Sequence, residues 1–135
     1  MEQFVQYSHA TASLALWALI ILALSGLSLR GRTPENRCGC GKPIRDYANP
    51  VYRSERAFQN AIETSGPFIA ATLAGILAGA APFWVNLLAS VFVLARIAMA
   101  VVHIRTENQP MRSACYGVSW LCVVLLALFA LVAAF

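Results

Sequence analysis

Charged residues are scarce in this sequence, and that scarcity excludes most water-soluble folds. Asp, Glu, Lys and Arg together make up 12% of the 135 residues, whereas hydrophobic residues make up 59%. A water-soluble domain of this size would leave much of that apolar surface in contact with water. Because one membrane span takes about 20 apolar residues, the chain has room for at most four or five spans in one domain.

Cysteine and histidine are also rare, with four cysteines and two histidines in the chain. Cys38 and Cys40 form a CGC sequence in a basic loop, but no second cysteine pair or nearby histidine completes the four ligands of a structural zinc site. We therefore expect no metal site and two free thiols at these positions. Cys115 and Cys122 lie in or beside an apolar run, where a thiol behaves as a small apolar side chain.

Four apolar runs predict an all-α integral membrane protein, a single domain built as a bundle of four transmembrane helices. The runs cover about residues 7–29, 56–79, 83–104 and 111–135, and a basic loop fills 30–55. Gly66-Pro67 interrupts the second run, where a proline removes a helical hydrogen bond. The start, MEQFVQYSHA, lacks the positive n-region and cleavage site of a signal peptide, so we expect the first helix to be retained.

The basic residues predict the orientation of these spans. Seven of the ten Lys and Arg residues lie between Arg30 and Arg56, and Arg105 and Arg112 flank the third connection. Both connections fall on one side of a four-span chain, which the positive-inside rule makes cytoplasmic, with both termini on the other side. The net charge of +4 is therefore interpreted as a membrane-orientation signal and not as a nucleic-acid interface.

Charged side chains nevertheless enter the second and third runs. Arg56, Asn60 and Glu63 are spaced four and three residues apart, so a helix places them on one face. Glu63 lies about 10 Å in from Arg56, and Arg96 lies about 13 Å in from Arg105 on the same side. A lone charge at such depth costs about 2.5–3.5 kcal/mol. We expect Glu63 and Arg96 to form an ion pair, either as a packing clamp or as part of a site.

Further polar residues fall at the same predicted depth. His103 follows Arg96 by seven residues, and Arg112, Ser113 and Tyr116 open the fourth run, where free backbone N–H groups and the helix dipole favour an anion. Together they predict a cavity for a small, multiply charged molecule, with arginines for its carboxylates and Glu63 for an ammonium group. Each residue has a structural alternative: Arg112 can snorkel to the interface, Tyr116 can belong to the aromatic belt, and His103 can be a polar helix end.

These residues give the chain a resemblance to the MAPEG family, the membrane-associated proteins in eicosanoid and glutathione metabolism. RAFQNAIETSGPF, residues 56–68, resembles the family's RAxxN–xxE signature followed by a proline. ARIAMAVVHIRTENQPMRSACY, residues 95–116, resembles its arginine-bearing third helix and the R-S-x-x-Y opening of its fourth. The motifs cover about residues 51–116, and the number of spans and loop lengths agree over the whole chain.

The resemblance implies a homotrimer that binds glutathione between adjacent subunits at the cytoplasmic side. It implies glutathione-binding roles for several residues and a catalytic pair that stabilises the thiolate. The resemblance gives Arg30, Arg56, Asn60, Glu63 and Tyr116 as binding residues, Arg96 as the buried partner of Glu63, and Arg112 and Ser113 as the catalytic pair. Because of its predicted depth, His103 is expected with Arg96 among the glutathione-binding residues. The implied activity is that of a bacterial-type, membrane-bound glutathione transferase or peroxidase that acts on lipophilic electrophiles or hydroperoxides, in keeping with a role in detoxification in the inner membrane.

The sequence also departs from the family pattern at three positions. Gln59 stands where the prostaglandin synthase branch has arginine, and Met99 and His103 stand where eicosanoid synthase branches have histidine or tyrosine. These departures argue against a dedicated eicosanoid synthase. Two other functions stay open: a non-catalytic membrane protein that binds a thiol or another anionic ligand, and a small multidrug-type transporter with a membrane-embedded glutamate.

Overall fold

A computed structural model describes residues 2–135, with side chains from residue 4 onward, and the regular structure over this range is helical. A short helix α1 (Glu2–Val5) precedes four long helices, which confirms the predicted all-α class. The long helices are α2 (Ser8–Leu29), α3 (Pro50–Leu77), α4 (Pro82–Arg105) and α5 (Gln109–Ala134). A single 3₁₀ turn (Pro34–Asn36) lies in the loop between α2 and α3.

Three of the four long helices are long and apolar enough to cross a membrane, namely α2, α4 and α5. The helix α3 is not among them, although its 28 residues extend over about 42 Å. Its first half carries charged and polar side chains that lower its hydropathy. These residues are Arg53, Glu55, Arg56, Asn60 and Glu63.

The helix α3 differs from its predicted extent at its start. It begins at Pro50, six residues before the predicted start at 56, because Asn49 caps it. The Asn49 side-chain oxygen accepts a hydrogen bond of 2.9 Å from the Val51 N–H, and proline suits the first helical turn. The helix continues past Pro67, which lies within it, so Gly66-Pro67 does not end the helix.

The centre of the bundle is built on α3 and α4, each of which packs against both α2 and α5. Phe68 and Phe92 stack with ring centroids 3.8 Å apart, and the edge of Trp17 contacts Phe92 at 5.3 Å. The Trp17 indole N–H donates to the Ser65 hydroxyl at 3.0 Å, which satisfies its polar atom inside the core. This aromatic cluster fixes α2, α3 and α4 relative to one another.

The loop between α2 and α3 is held over one end of the bundle by Arg53. Its guanidinium donates to the carbonyls of Tyr47 at 2.7 Å and Ala48 at 2.9 Å. It also donates to the carbonyl of Ile104 at 3.1 Å, near the end of α4. Arg53 therefore brings the loop against the place where α4 ends.

The expectation of two free thiols in this loop is wrong, because Cys38 and Cys40 form a disulfide. A hairpin turn brings their Cα atoms to 5.2 Å, a separation that a disulfide can bridge. Cys115 and Cys122 are free, and Cys122 is buried in the core as the sequence predicted.

Candidate functional site

A cavity of about 260 Å³ lies at the end of the bundle that the loop covers. Side chains from the loop and from α3, α4 and α5 line it, and six of the nine predicted site residues are among them. The lining residues are Tyr47, Arg56, Asn60, Met99, His103, Gln109, Arg112, Ser113 and Tyr116.

Helical spacing explains why these side chains converge. Residues four positions apart lie one above the other on a helix face. The helix α3 contributes Arg56 and Asn60 at this spacing, and α5 contributes Arg112 and Tyr116. Because the loop closes the same end, the cavity is lined by three helices and one loop.

Arg96 lies behind the cavity wall and not on its surface. It is 3% exposed, and its Nη2 donates to both the backbone and the side-chain oxygen of Asn60, each at 2.7 Å. Its Nη1 lies 3.1 Å from the Met99 sulfur, and the Tyr116 ring centroid is 6.0 Å from the guanidinium carbon. Arg96 therefore orients three cavity-lining residues.

The expected ion pair between Glu63 and Arg96 is wrong. Among residues 4–135, the carboxylates in ion pairs belong to Glu55 and Glu107, and Glu63 is exposed. Glu63 follows Asn60 by three positions, which rotates it about 60° around the helix. That rotation carries it to the outer surface of the bundle, whereas Asn60 faces Arg96.

Arg30 also lies outside the cavity. It follows the end of α2 and is exposed, with its backbone N–H bonded to the Leu27 carbonyl at 3.2 Å. Together with Glu63, it is a predicted site residue that a single chain does not bring to the cavity.

Aromatic contacts hold the cationic side of the cavity. The Tyr47 ring stacks on His103 with centroids 6.3 Å apart and planes 14° apart. The Arg112 guanidinium carbon lies 4.9 Å from the Tyr47 ring centroid, within the range of a cation–π contact. Tyr47 also packs edge-on against Tyr52 at 5.1 Å, which fixes its ring plane.

Several buried polar atoms at this site have no hydrogen-bond partner in the protein. They are the Arg112 Nη1 and both ring nitrogens of His103, and the Nε of Arg96, behind the cavity wall, is a further one. A buried donor or acceptor without a partner costs about 1–3 kcal/mol, so native proteins leave few of them. A polar molecule in the cavity would supply partners for these atoms.

The first turn of α5 offers an anion fewer free backbone N–H groups than the sequence predicted. The Met111 N–H is used by the Asn108 side chain at 3.0 Å, and the Arg112 N–H bonds to the Asn108 carbonyl at 3.2 Å. Pro110 has no N–H group. The expectation of several free backbone N–H groups is therefore wrong, and the side chains of Arg112 and Ser113 are left to contact an anion.

Tyr47 and Gln109 line the cavity although the sequence reasoning did not select them. The Asn49-Pro50 pair is a helix-start signal that would have placed Tyr47 directly before α3, close to Arg53. Of the departures from the family pattern, Gln59 donates to the Glu55 carboxylate at 3.1 Å and does not line the cavity.

A second, apolar groove of about 710 Å³ lies between the far halves of α3 and α5. Its walls are alanine-rich, and Pro67 and Leu131 are among the larger lining residues. It runs along the same two helices that contribute the arginines of the polar cavity. The structure thus places an apolar surface and a cationic cavity on one pair of helices.

Among the side chains of residues 4–135, no group of three or more His, Cys, Asp or Glu is arranged to hold a metal ion. The cavity itself presents two guanidinium groups, an imidazole, a thioether, hydroxyls and amides.

Comparison with known proteins supports the resemblance seen in the sequence. No curated protein matches the chain directly. The model of the MAPEG family matches residues 7–132, nearly the whole chain. With its three apolar helices, the chain is an integral membrane protein that belongs to the MAPEG family.

Proposed function

We propose that this protein is a membrane-bound, glutathione-dependent transferase or peroxidase that acts on lipophilic electrophiles or hydroperoxides. The observation that carries the proposal is the buried, unpartnered Nη1 of Arg112 beside a cavity that Arg56 and Ser113 also line. Membership of a glutathione-associated family supports the choice of thiol.

The charges around the cavity suit glutathione, which carries two carboxylates, one ammonium group and a thiol. Arg56 and Arg112 line the cavity, and no Asp or Glu does. Guanidinium groups bind carboxylates through paired N–H groups, and they raise the local concentration of an anionic tripeptide. The Asn60 side chain, which Arg96 holds in place, adds a polar group that can form a hydrogen bond with a peptide bond of glutathione.

The size of the cavity favours an assembly in which a neighbouring subunit completes the site. Small-molecule sites usually enclose about 300–1,000 Å³, whereas one chain provides about 260 Å³. We propose a homotrimer in which Arg30 and Glu63, both exposed on the single chain, reach the cavity of an adjacent copy. Glu63 would then pair with the ammonium group.

The reaction follows from thiolate chemistry. A thiol becomes a strong nucleophile when it loses its proton, and a nearby cation favours that loss. We assign Arg112 to hold the sulfur anion and Ser113 to donate a hydrogen bond to it. The thiolate attacks an electrophilic carbon, and the leaving group departs with its electron pair. With a hydroperoxide it attacks the terminal oxygen, the O–O bond breaks, and the alkoxide leaves with the electron pair and takes up a proton. A second glutathione then attacks the resulting glutathione sulfenic acid, which gives glutathione disulfide and water.

The second substrate reaches the thiolate from the bilayer. The apolar groove between α3 and α5 has a volume of about 710 Å³, within the range of ligand sites. A lipophilic molecule dissolved in the membrane can enter such a groove without leaving an apolar environment.

The same proposal includes the membrane arrangement. We propose that α3 is a fourth span, its polar half shielded by neighbouring helices and subunits. The basic loops then lie in the cytoplasm of a bacterial cell, and both termini lie on the opposite side of the inner membrane.

Activity of the purified protein in detergent tests this proposal. We expect glutathione to be conjugated to chlorodinitrobenzene, or a lipid hydroperoxide to be reduced. Loss of one preorganised donor to a developing anion costs about 10²–10³-fold in rate, so Arg112→Ala is expected to lose that much. Arg105→Ala removes the same charge from an exposed position outside the cavity and serves as the control.

Equal activities of the Arg112→Ala and Arg105→Ala proteins would overturn the catalytic assignment. Saturable glutathione binding without turnover on any electrophile or hydroperoxide would instead favour a non-catalytic binding protein. The Gln59 departure is compatible with that second function, because its side chain is bonded to Glu55 and adds no donor to the cavity.

A further inference from the structure

The loop between α2 and α3 carries a disulfide that the proposed transferase reaction does not use. Cys38 and Cys40 are joined within a small hairpin, residues 37–43, which we name the CGC hairpin. Its backbone is held by a bond from the Cys38 N–H to the Lys42 carbonyl at 2.9 Å and by one from the Gly41 N–H to the Cys38 carbonyl at 2.9 Å. Both cysteines are exposed.

This disulfide is poorly suited to stabilising the fold. A disulfide stabilises a protein mainly by restricting the unfolded chain, and the effect shrinks with the number of residues it encloses. Cys38 and Cys40 are separated by two positions, so they enclose only one residue. The bundle is held together elsewhere, by the aromatic core and the contacts of Arg53.

The surroundings of the pair are those of a reactive thiol. Arg37 and Lys42 flank the two cysteines in the sequence, and both are exposed with them. Positive charges next to a cysteine stabilise its thiolate, and exposure lets a second thiol reach the sulfur. The same charges attract an anionic thiol such as glutathione.

The CGC hairpin is also connected to the helix that carries the candidate site. The Arg32 guanidinium donates to the Gly41 carbonyl at 3.2 Å and to the Glu55 carboxylate at 2.6 Å. The other Glu55 oxygen accepts from Gln59 on the next turn of α3. One guanidinium thus joins the hairpin to the helix that contributes Arg56 and Asn60 to the cavity.

We propose that Cys38 and Cys40 form a thiol–disulfide exchange site, which a low-molecular-weight thiol reduces and its disulfide reoxidises. A thiolate attacks one cysteine sulfur, the S–S bond breaks, and the electron pair passes to the other sulfur, which takes up a proton. A second thiolate attacks the resulting mixed disulfide and releases the first cysteine. The sum converts two small-molecule thiols into their disulfide and the protein disulfide into two thiols.

The identity of the small thiol as glutathione rests on the proposed function, whereas the exchange itself does not. Any accessible thiol–disulfide couple of suitable potential serves the reaction, and dithiothreitol is a probe that needs no tripeptide site. The two proposals can therefore fail separately.

Differential alkylation of the full-length protein in detergent tests the exchange. The protein is equilibrated with mixtures of glutathione and glutathione disulfide, free thiols are blocked, and the fragment that contains both cysteines is analysed by mass spectrometry. Because two thiols react per disulfide, a tenfold rise in glutathione at fixed glutathione disulfide is expected to raise the ratio of dithiol to disulfide about a hundredfold. Buried Cys122 provides an internal reference that stays unmodified.

The Cys40→Ser variant identifies the mixed-disulfide intermediate. Cys40→Ser removes the resolving sulfur, so glutathione disulfide is expected to leave a mixed disulfide on Cys38, and dithiothreitol is expected to remove it. The Arg112→Ala protein serves to separate the two proposals, because it is expected to exchange as the unsubstituted protein does even where glutathione conjugation is lost. A CGC hairpin that keeps one oxidation state over the whole range of mixtures, or a Cys40→Ser protein that forms no mixed disulfide, would overturn the proposal.

Discussion

The Arg96 guanidinium donates to both the backbone and the side-chain oxygen of Asn60, each at 2.7 Å. This contact links α4 to α3 beside the cavity and gives a buried cation two of its acceptors. It also fixes the Asn60 side chain, which lines the cavity. Asn60 is therefore both a packing partner and a candidate ligand-binding residue.

Replacing the Asn60 amide tests the first of these roles. In Asn60→Leu, Arg96 loses one acceptor and stays buried, so the unfolding free energy is expected to fall by about 1–3 kcal/mol. Asn60→Asp keeps an oxygen in place and is expected to melt near the temperature of the unsubstituted protein. Thermal unfolding in one detergent measures both. Equal losses in the two variants would show that the Arg96 contact is not the cause.

The Tyr47 ring contacts His103 and Arg112 on the cationic side of the cavity. The Tyr47 hydroxyl plays no part in these two contacts. Tyr47→Leu removes the stacking with His103 and the cation–π contact with Arg112, which is worth about 0.5–2 kcal/mol. Glutathione binding is therefore expected to weaken about fivefold. Tyr47→Phe keeps the ring and is expected to bind normally. A titration in which both variants bind alike would contradict this role.

The ion pairs Arg32–Glu55 and Arg53–Glu107 provide a comparison of buried and exposed charge. Glu55 is 6% exposed and bonds to Arg32 at 2.6 Å, so Glu55→Ala is expected to lower the unfolding free energy by about 1–3 kcal/mol. The Glu107 side chain is 66% exposed and lies 3.6 Å from Arg53, so Glu107→Ala is expected to cost about 1 kcal/mol or less. Melting temperatures that rank the two variants in the opposite order would contradict this assignment.

The proposed position of Glu63 beside a neighbouring cavity can be tested by mixing chains. Arg112→Ala and Glu63→Gln are each expected to lack activity when produced alone. If Glu63 acts on an adjacent subunit, mixed trimers contain some sites with both original residues, and co-production is expected to restore part of the activity. If both residues act within one chain, no complete site exists, and the mixture stays inactive.

Apolar composition predicted most of the fold. The runs that form α2, α4 and α5 were visible because long hydrophobic segments have few alternatives to a membrane helix. The start of α3 was missed because hydropathy marks only where a helix enters an apolar layer. The capping signal at Asn49 and Pro50 marks where the helix itself begins.

The candidate site was predictable where helical spacing and depth were enough, and not elsewhere. Arg56, Asn60 and Tyr116 line the cavity as their spacing suggested. The predicted ion pair between Arg96 and Glu63 rested on their similar depth in the membrane. The two side chains of Asn60 and Glu63 differ by about 60° around the axis of α3, and this rotation decides which of them faces Arg96. The positions of Tyr47 and of the Cys38–Cys40 disulfide depend on how the loop folds. A loop has no helical periodicity from which these positions could be predicted.

Calorimetric titration of glutathione into the purified protein tests the central claim most directly, namely that the cationic cavity binds this tripeptide through Arg112. We expect saturable binding that persists with a thiol-free analogue and in Arg105→Ala but is lost in Arg112→Ala. Absence of binding to the unsubstituted protein, or equal affinity in the two arginine variants, would contradict the account.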